Sequence, residues 1–159
     1  MDELLKLLRD RGRDSTSALA KMLGRPEAEV HEKIRAYEKQ GIIRGYQAVI
    51  DEERAHPDQV VAIIEVKVTP EREGGFDHLA MRISRFPEVV ASFLVSGQAD
   101  LMLFVEGASL RDVASFVSEK LSTIQGVTAT ATAFRLKTYK NHGVLMDTPD
   151  SYERPLISP

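Results

Sequence analysis

Five residues in the second half of the chain, Ser96-Gly97-Gln98-Ala99-Asp100, combine groups that could receive a small zwitterion. A glycine lets a ligand approach the backbone closely. Neighbouring amides can meet a carboxylate, and the Asp100 carboxylate can meet an ammonium group, which is the pair of charges an amino acid carries. The same residues also suit an ordinary hairpin turn, in which Gly supplies a positive φ and Asp a local hydrogen bond. Residue types alone do not separate the two readings. Downstream, Thr128, Thr130 and Thr132 recur at period two, which would set three hydroxyls on one face of a strand. A row of good β-formers explains that pattern as well as a polar pocket lining does.

A second set lies in the first half. Ser15, Thr16, Arg25, Lys33, Arg35, Lys39 and Arg44 are hydroxyls and cations of the kind that contact phosphates and base edges. The competing reading is helix caps and solvated charges. The charge distribution leans toward contact with nucleic acid: the chain is −3 overall, but residues 1–50 carry +2 and residues 51–159 carry −5. Metal and nucleophile chemistry find little support. Cysteine is absent, which removes disulfides and thiolate zinc sites, and His31, His56, His78 and His142 are too scattered for a ligand set. No cofactor is expected. No apolar run approaches the ~20 residues of a membrane helix. The start MDELLKLLRD is charged and amphipathic rather than a signal peptide, so the cytoplasm is the expected location.

The elements that must position these residues change period partway along the chain. Leu4, Leu5, Leu7 and Leu8 form a helical stripe ending near Gly12. Asp14-Ser15-Thr16 starts a second helix carrying Ala18, Leu19, Met22 and Leu23, and Gly24 stops it. Pro26 opens a third, whose Val30, Ile34 and Tyr37 fall on one stripe before Gly41. Three short helices with a tight glycine turn between the second and third form the helix-turn-helix pattern. Ile42 to Ile50 reads as a strand or extended arm. Polar residues 51–59, with Pro57, read as a linker.

From Val60 the order becomes strand (60–69, stopped by Pro70), helix (Phe76 to Phe86), strand (89–95), turn, strand (101–105), helix (capped by Ser109, ended by Gly126) and strand (from Val127). This is the ferredoxin-like β-α-β-β-α-β motif. The predicted class is therefore α+β, with a helix-turn-helix domain over 1–50, a linker over 51–59, a ferredoxin-like domain over 60–140 and a tail over 141–159. Such a sheet carries both helices on one face. The strand Leu101-Met102-Leu103-Phe104-Val105 is apolar on both faces, so the other face needs a cover, and a second copy is the simplest one. Leu101, Leu103 and Phe104 are the expected contact residues.

Several segments together resemble the Lrp/AsnC family, the feast/famine regulators. They are Leu19-Ala20-Lys21-Met22-Leu23-Gly24, then Glu38-Lys39-Gln40-Gly41-Ile42-Ile43-Arg44-Gly45-Tyr46, then Val95-Ser96-Gly97-Gln98-Ala99-Asp100-Leu101, then Gln125-Gly126-Val127 with the threonine row. The resemblance spans nearly the whole chain. It implies a helix-turn-helix, winged or flanked by a strand, joined to a ligand-sensing domain. It also implies homodimers formed through the sheets, further association into octamers, and an amino-acid effector near the dimer–dimer contacts. On it, Ser96, Gly97, Gln98, Asp100, Thr130 and Thr132 become effector-site candidates. The implied function is a sequence-specific regulator of transcription that binds double-stranded DNA, not an enzyme.

Two features depart from the family pattern. Asp14 stands where the family usually has an apolar residue, and Glu27, Glu29 and Glu32 make the start of the third helix acidic, which repels phosphate. That acidity supports an alternative, an oligomeric effector sensor with weakened DNA binding. A second alternative is a siroheme decarboxylase, which shares the two-part architecture. It would need basic and histidine residues lining a cleft, and no such cluster is evident in the sequence.

Overall fold

The computed structural model describes residues 2–69 and 75–146. Pro70, the expected strand stop, and most of the expected tail lie outside the described residues. The chain divides into two compact units, Met1–Val49 and Ile50–Pro159.

The first unit is three helices: α1 (Glu3–Asp10), α2 (Thr16–Leu23) and α3 (Glu27–Lys39). Asp2 caps α1 by accepting the Leu4 N–H at 2.9 Å, and Ser15 caps α2 by accepting the Ala18 N–H at 3.2 Å. Gly24 ends α2 at φ 61°, a left-handed conformation that glycine adopts without strain. Pro26 precedes α3, where its missing N–H costs nothing. Leu4, Leu19, Ala20 and Val30 are buried, with Leu7, Leu8, Leu23, Ile34 and Tyr37 packed around them. A polar tie supplements this small core: the Lys33 ammonium binds the Asp2 carboxylate at 2.8 Å, joining α3 to the start of α1. Of the two readings for Ile42–Ile50, strand or extended arm, the strand does not form. This stretch takes no strand partner among the described residues, and Tyr46 instead donates its hydroxyl to Glu38 at 3.0 Å.

The second unit begins with a single turn, α4 (Glu52–Ala55), inside the stretch expected as linker. Then follow β1 (Val60–Val68), α5 (Asp77–Ile83), β2 (Val89–Leu94), β3 (Leu101–Gly107), α6 (Leu110–Ser115) and β4 (Val127–Phe134). The sheet order is β2-β3-β1-β4 with antiparallel neighbours. A hairpin of β5 (Lys140–Asn141) and β6 (Val144–Leu145) runs from the last residue of the expected ferredoxin-like domain into the expected tail. From Phe116 to Leu121, α6 continues as a π-helix, and Ser122 N–H reaches back five residues to the Val117 carbonyl at 2.8 Å. Wider winding lets Phe116 and Leu121, five apart, both enter the core. It leaves Lys120 outside to pair with Glu88, an interaction that holds the Glu88 carboxyl below the usual carboxylate range.

One sheet face is the core face. Ala62, Ile64, Val66 and Val68 of β1 and Leu101, Leu103 and Val105 of β3 pack under Leu79, Ile83, Val113, Phe116, Leu121 and Ile124. Because side chains alternate along a strand, the intervening residues face the other way. Register pairs Ile63 with Phe104 and Ala133, Glu65 with Met102 and Ala131, and Phe104 with Ala91. These residues, with Lys67, Phe93 and Ala129, make the open face. Phe93 meets Phe104 there edge to face, with ring centroids 6.0 Å apart. Alternation also corrects the expected contact set. Leu101 and Leu103 are 0% exposed beneath the protomer's own helices. Of the three expected residues, only Phe104 stands on the open face, with Met102 and Phe93 as its neighbours.

Candidate nucleic-acid and effector sites

α3 presents its polar side away from Val30, which is buried. At 100° per residue, Ala28, Glu32, Arg35 and Lys39 point opposite Val30, with His31 beside them, and all five are exposed. The seven expected nucleic-acid contacts divide sharply. Ser15 is committed to its cap, and Thr16 opens α2. Arg25 is paired with Glu29 at 2.7 Å, one helical turn away. Lys33 is half-buried and tied to Asp2. The Arg44 guanidinium lies over Gly41, within 3.0–3.3 Å of where a Cβ would stand. Only Arg35 and Lys39 are exposed, outward-facing cations of α3 with no partner among the described residues. The carboxylates divide in the same way. Glu29 is neutralised by Arg25, Glu38 accepts from Tyr46, Glu27 is exposed in the first turn without a partner among the described residues, and Glu32 remains on the outward face.

In the second unit, the turn from Ser96 to Asp100 is closed by Val95 N–H donating to the Asp100 carbonyl at 2.9 Å. Gly97 has φ 147°, which a side chain would strain. Asp100 is bound to β1 twice. Its N–H donates to the Val66 carbonyl at 3.0 Å, and its carboxylate accepts the Val68 N–H at 2.9 Å. That second bond sits where the β1–β4 register shifts, between Lys67 and Val68. Thr128 lies at the same irregularity and donates its hydroxyl to the Lys67 carbonyl at 3.1 Å. Ser96, Gly97 and Gln98 are exposed.

A depression of about 210 Å³ adjoins this turn, lined by Glu65, Lys67, Gln98, Ala99, Ala129, Thr130 and Ala131. Of the expected effector residues it brings together Gln98 and Thr130. Thr130, paired with Val66, and Thr132, paired with Ile64, both project on the core side of the sheet, at its edge, and of the two only Thr130 borders the depression. Glu65 and Lys67 were missed by the sequence reading. Their signal was available: in Ile63-Ile64-Glu65-Val66-Lys67-Val68, the polar residues alternate with the buried ones. A wider open groove of about 650 Å³ lies between residues 55–59 and Glu106, Gly107 and Ala108, where Gln59 donates to Glu106 at 2.9 Å; it gathers none of the expected residues. Among the described residues, no cluster of three or more metal-ligating side chains occurs, and no helix is long and apolar enough to cross a membrane.

Comparison with known proteins agrees in both units. Residues 61–145 match the family model for the Lrp/AsnC ligand binding domain. The chain is 44% identical over 158 residues to the uncharacterised HTH-type transcriptional regulator YugG of Bacillus subtilis, covering 99% of this chain and 95% of that one. It is 35% identical to the Bkd operon transcriptional regulator of Pseudomonas aeruginosa, over 85% of this chain and 88% of that one. Among solved structures, the fold is shared with a Neisseria meningitidis transcriptional regulator in complex with L-Met, at a TM-score of 0.71 and 23% identity, covering 89% of this chain and 93% of that one. It is also shared with the Mycobacterium tuberculosis leucine response regulatory protein, at a TM-score of 0.74 and 24% identity, covering 92% and 100%. The regulator names of the sequence relatives favour neither the sensor with weakened DNA binding nor the siroheme enzyme.

Proposed function

Since this chain belongs to the Lrp/AsnC family and is an HTH-type regulator of transcription with a ligand-binding domain, we propose that it works as a cytoplasmic homodimer whose grip on double-stranded DNA is set by an amino acid. The observation that carries this reading is the identity to a named regulator along 99% of the chain, through helix-turn-helix and sensing domain alike. Its role is binding rather than catalysis, in keeping with the names its relatives carry.

Each part has a physical basis. The open sheet face places Ile63, Met102, Phe93 and Phe104 side by side, an apolar surface that a second copy would cover symmetrically. Dimers that associate further would form the octamers expected of the family. α3 offers Arg35 and Lys39 to the major groove and its flanking phosphates, and two such helices would meet half-sites roughly one helical turn apart. The effector is assigned to the Ser96–Asp100 turn and the adjoining depression. Gln98 and the free amides there suit a carboxylate. Asp100 suits an ammonium group, which must share its carboxylate with the Val68 N–H. A ligand that prefers one assembly shifts the population toward it.

The test combines a thermal-shift panel of the twenty amino acids, L-methionine included, with electrophoretic mobility shifts on the DNA upstream of the protein's own gene. One amino acid should raise the transition temperature and change the DNA affinity. Asp100→Ala should lose that response by well over tenfold in ligand affinity while keeping fold and dimer, as expected when one partner of a buried charged contact, worth roughly 2–5 kcal/mol, is removed. Equal stabilisation of both proteins would reduce Asp100 to a turn residue. A panel with no response would move the effector to another chemical class.

A further inference from the structure

The outward face of α3 carries a pair that charge counting does not explain. A carboxylate facing a phosphate backbone weakens binding, so an acidic residue on a recognition helix should be neutralised or turned aside. Glu29 is neutralised by Arg25 and Glu38 accepts from Tyr46. Glu32 has no partner among the described residues, is exposed, and stands directly opposite the buried Val30. Three residues on, Arg35 is equally exposed and unpaired on the same face. Residues at i and i+3 are neighbours, yet these opposite charges form no ion pair with each other. Both heads project outward, separated along the axis by about 4.5 Å. Adjacent bases on one strand stack at about 3.4 Å.

We propose that Glu32 and Arg35 read bases directly in the major groove, on neighbouring base pairs. Arg35 donates two hydrogen bonds to O6 and N7 of a guanine, and Glu32 accepts from N4 of a cytosine. The cytosine amino group is a donor that a carboxylate can meet without approaching a phosphate, which removes the penalty on Glu32. Each half-site then contains two adjacent G·C pairs at a fixed position. Ala28, one turn before Glu32 on the same face, leaves room for the helix to lie close to the groove floor. Discrimination takes the place of bulk attraction: with Arg25 and Lys33 engaged internally, α3 has few cations for sequence-independent binding, and its selectivity falls to this pair. The proposal rests on α3 being the helix that enters the groove.

The experiment is selection of binding sites by the full-length protein from a duplex library, with wild type, Glu32→Gln and Arg35→Ala in parallel. Wild type should enrich the adjacent G·C pairs. Glu32→Gln should exchange the cytosine for adenine, the base that a glutamine amide pairs with at N6 and N7, and keep the guanine. Arg35→Ala should lose the guanine preference and bind the wild-type site about five- to a hundred-fold more weakly. All three proteins should share one thermal midpoint, since neither residue has a partner among the described residues. A Glu32→Gln variant that selects the same bases as wild type overturns the assignment of Glu32, and wild-type sites without the adjacent G·C pairs overturn the proposal while leaving α3 as the DNA-binding helix. Failure of wild type to enrich any sequence overturns both.

Discussion

The two units hold themselves together in different ways. In the first, four of the described residues form the buried core and several of the polar groups around them are tied: Asp2 to Lys33, Ser15 to the Ala18 amide, Arg25 to Glu29. In the second, thirteen of the described residues, from β1, β3, α5, α6, its π-helical continuation and the turn after it, are buried and form the core. A small core leaves each cap and ion pair a larger share of the net stability, which for any domain is a small difference between large terms. The same contrast leaves the sensing unit with one sheet face spent on its core and the other open, whereas the helical unit presents the outward face of α3.

The largest break in this comparison is a core truncation in each unit. Leu19→Ala and Leu103→Ala each remove a fully buried leucine and should cost about 2–5 kcal/mol. In the first unit that loss should exceed what the remaining core supplies. Calorimetry should then show an early, separate transition, with DNA binding abolished and particle mass unchanged. Leu103→Ala should lower the main transition and leave a folded sensing unit. Next in size is Phe104→Glu, which would bury an unpaired charge at the proposed interface. Light scattering should report monomer or insoluble protein, while a well-folded wild-type monomer at micromolar concentration would remove the interface.

Smaller effects sharpen the contrast. Ser15→Ala should cost the first unit about 1 kcal/mol. Ser109, which caps α6 by accepting the Asp112 N–H at 3.2 Å, is its counterpart in the second unit. Ser109→Ala should cost a similar amount yet shift its unit's transition less. The smallest effect is pH-dependent. Lys33 holds the Asp2 carboxyl below the usual carboxylate range, and Asp2 holds the Lys33 ammonium above its ordinary value. The carboxylate's contribution is present above the ordinary range for Asp and is lost as pH falls through the lowered Asp2 value. The ammonium's contribution is present below the ordinary range for Lys and is lost as pH rises through the raised Lys33 value. Asp2→Asn keeps the cap acceptor, so its deficit against wild type should be flat across neutral pH and vanish at both extremes. A deficit that persists in strong acid would assign the effect to the cap.

The βαββαβ order and the helix-turn-helix were legible because each depends on local period and on Gly, Pro and Ser punctuation. The arm from Ile42 to Ile50 reads as a strand by composition, yet a strand needs an edge to pair with, and none of the described residues supplies one. Leu101 and Leu103 were placed on the wrong face because a wholly apolar strand hides its own alternation; neighbouring β1, where Glu65 and Lys67 mark the open side, carries the information that β3 lacks. Asp100 was legible as a turn residue with a carboxylate to offer. Its bond to the Val68 amide was not, since that contact joins positions thirty-two residues apart.

The uncovered sheet face also bears on dose. With a second copy as its cover, a dilute chain is mostly monomer, and the amount of dimer rises as the square of the amount of chain. A symmetric operator that needs two α3 helices then stays empty over a wide range of low expression and fills over a narrow one. An effector that tightens the sheet-to-sheet contact would move that threshold without touching α3, so the cell's supply of the protein and its supply of the ligand become interchangeable inputs to the same switch.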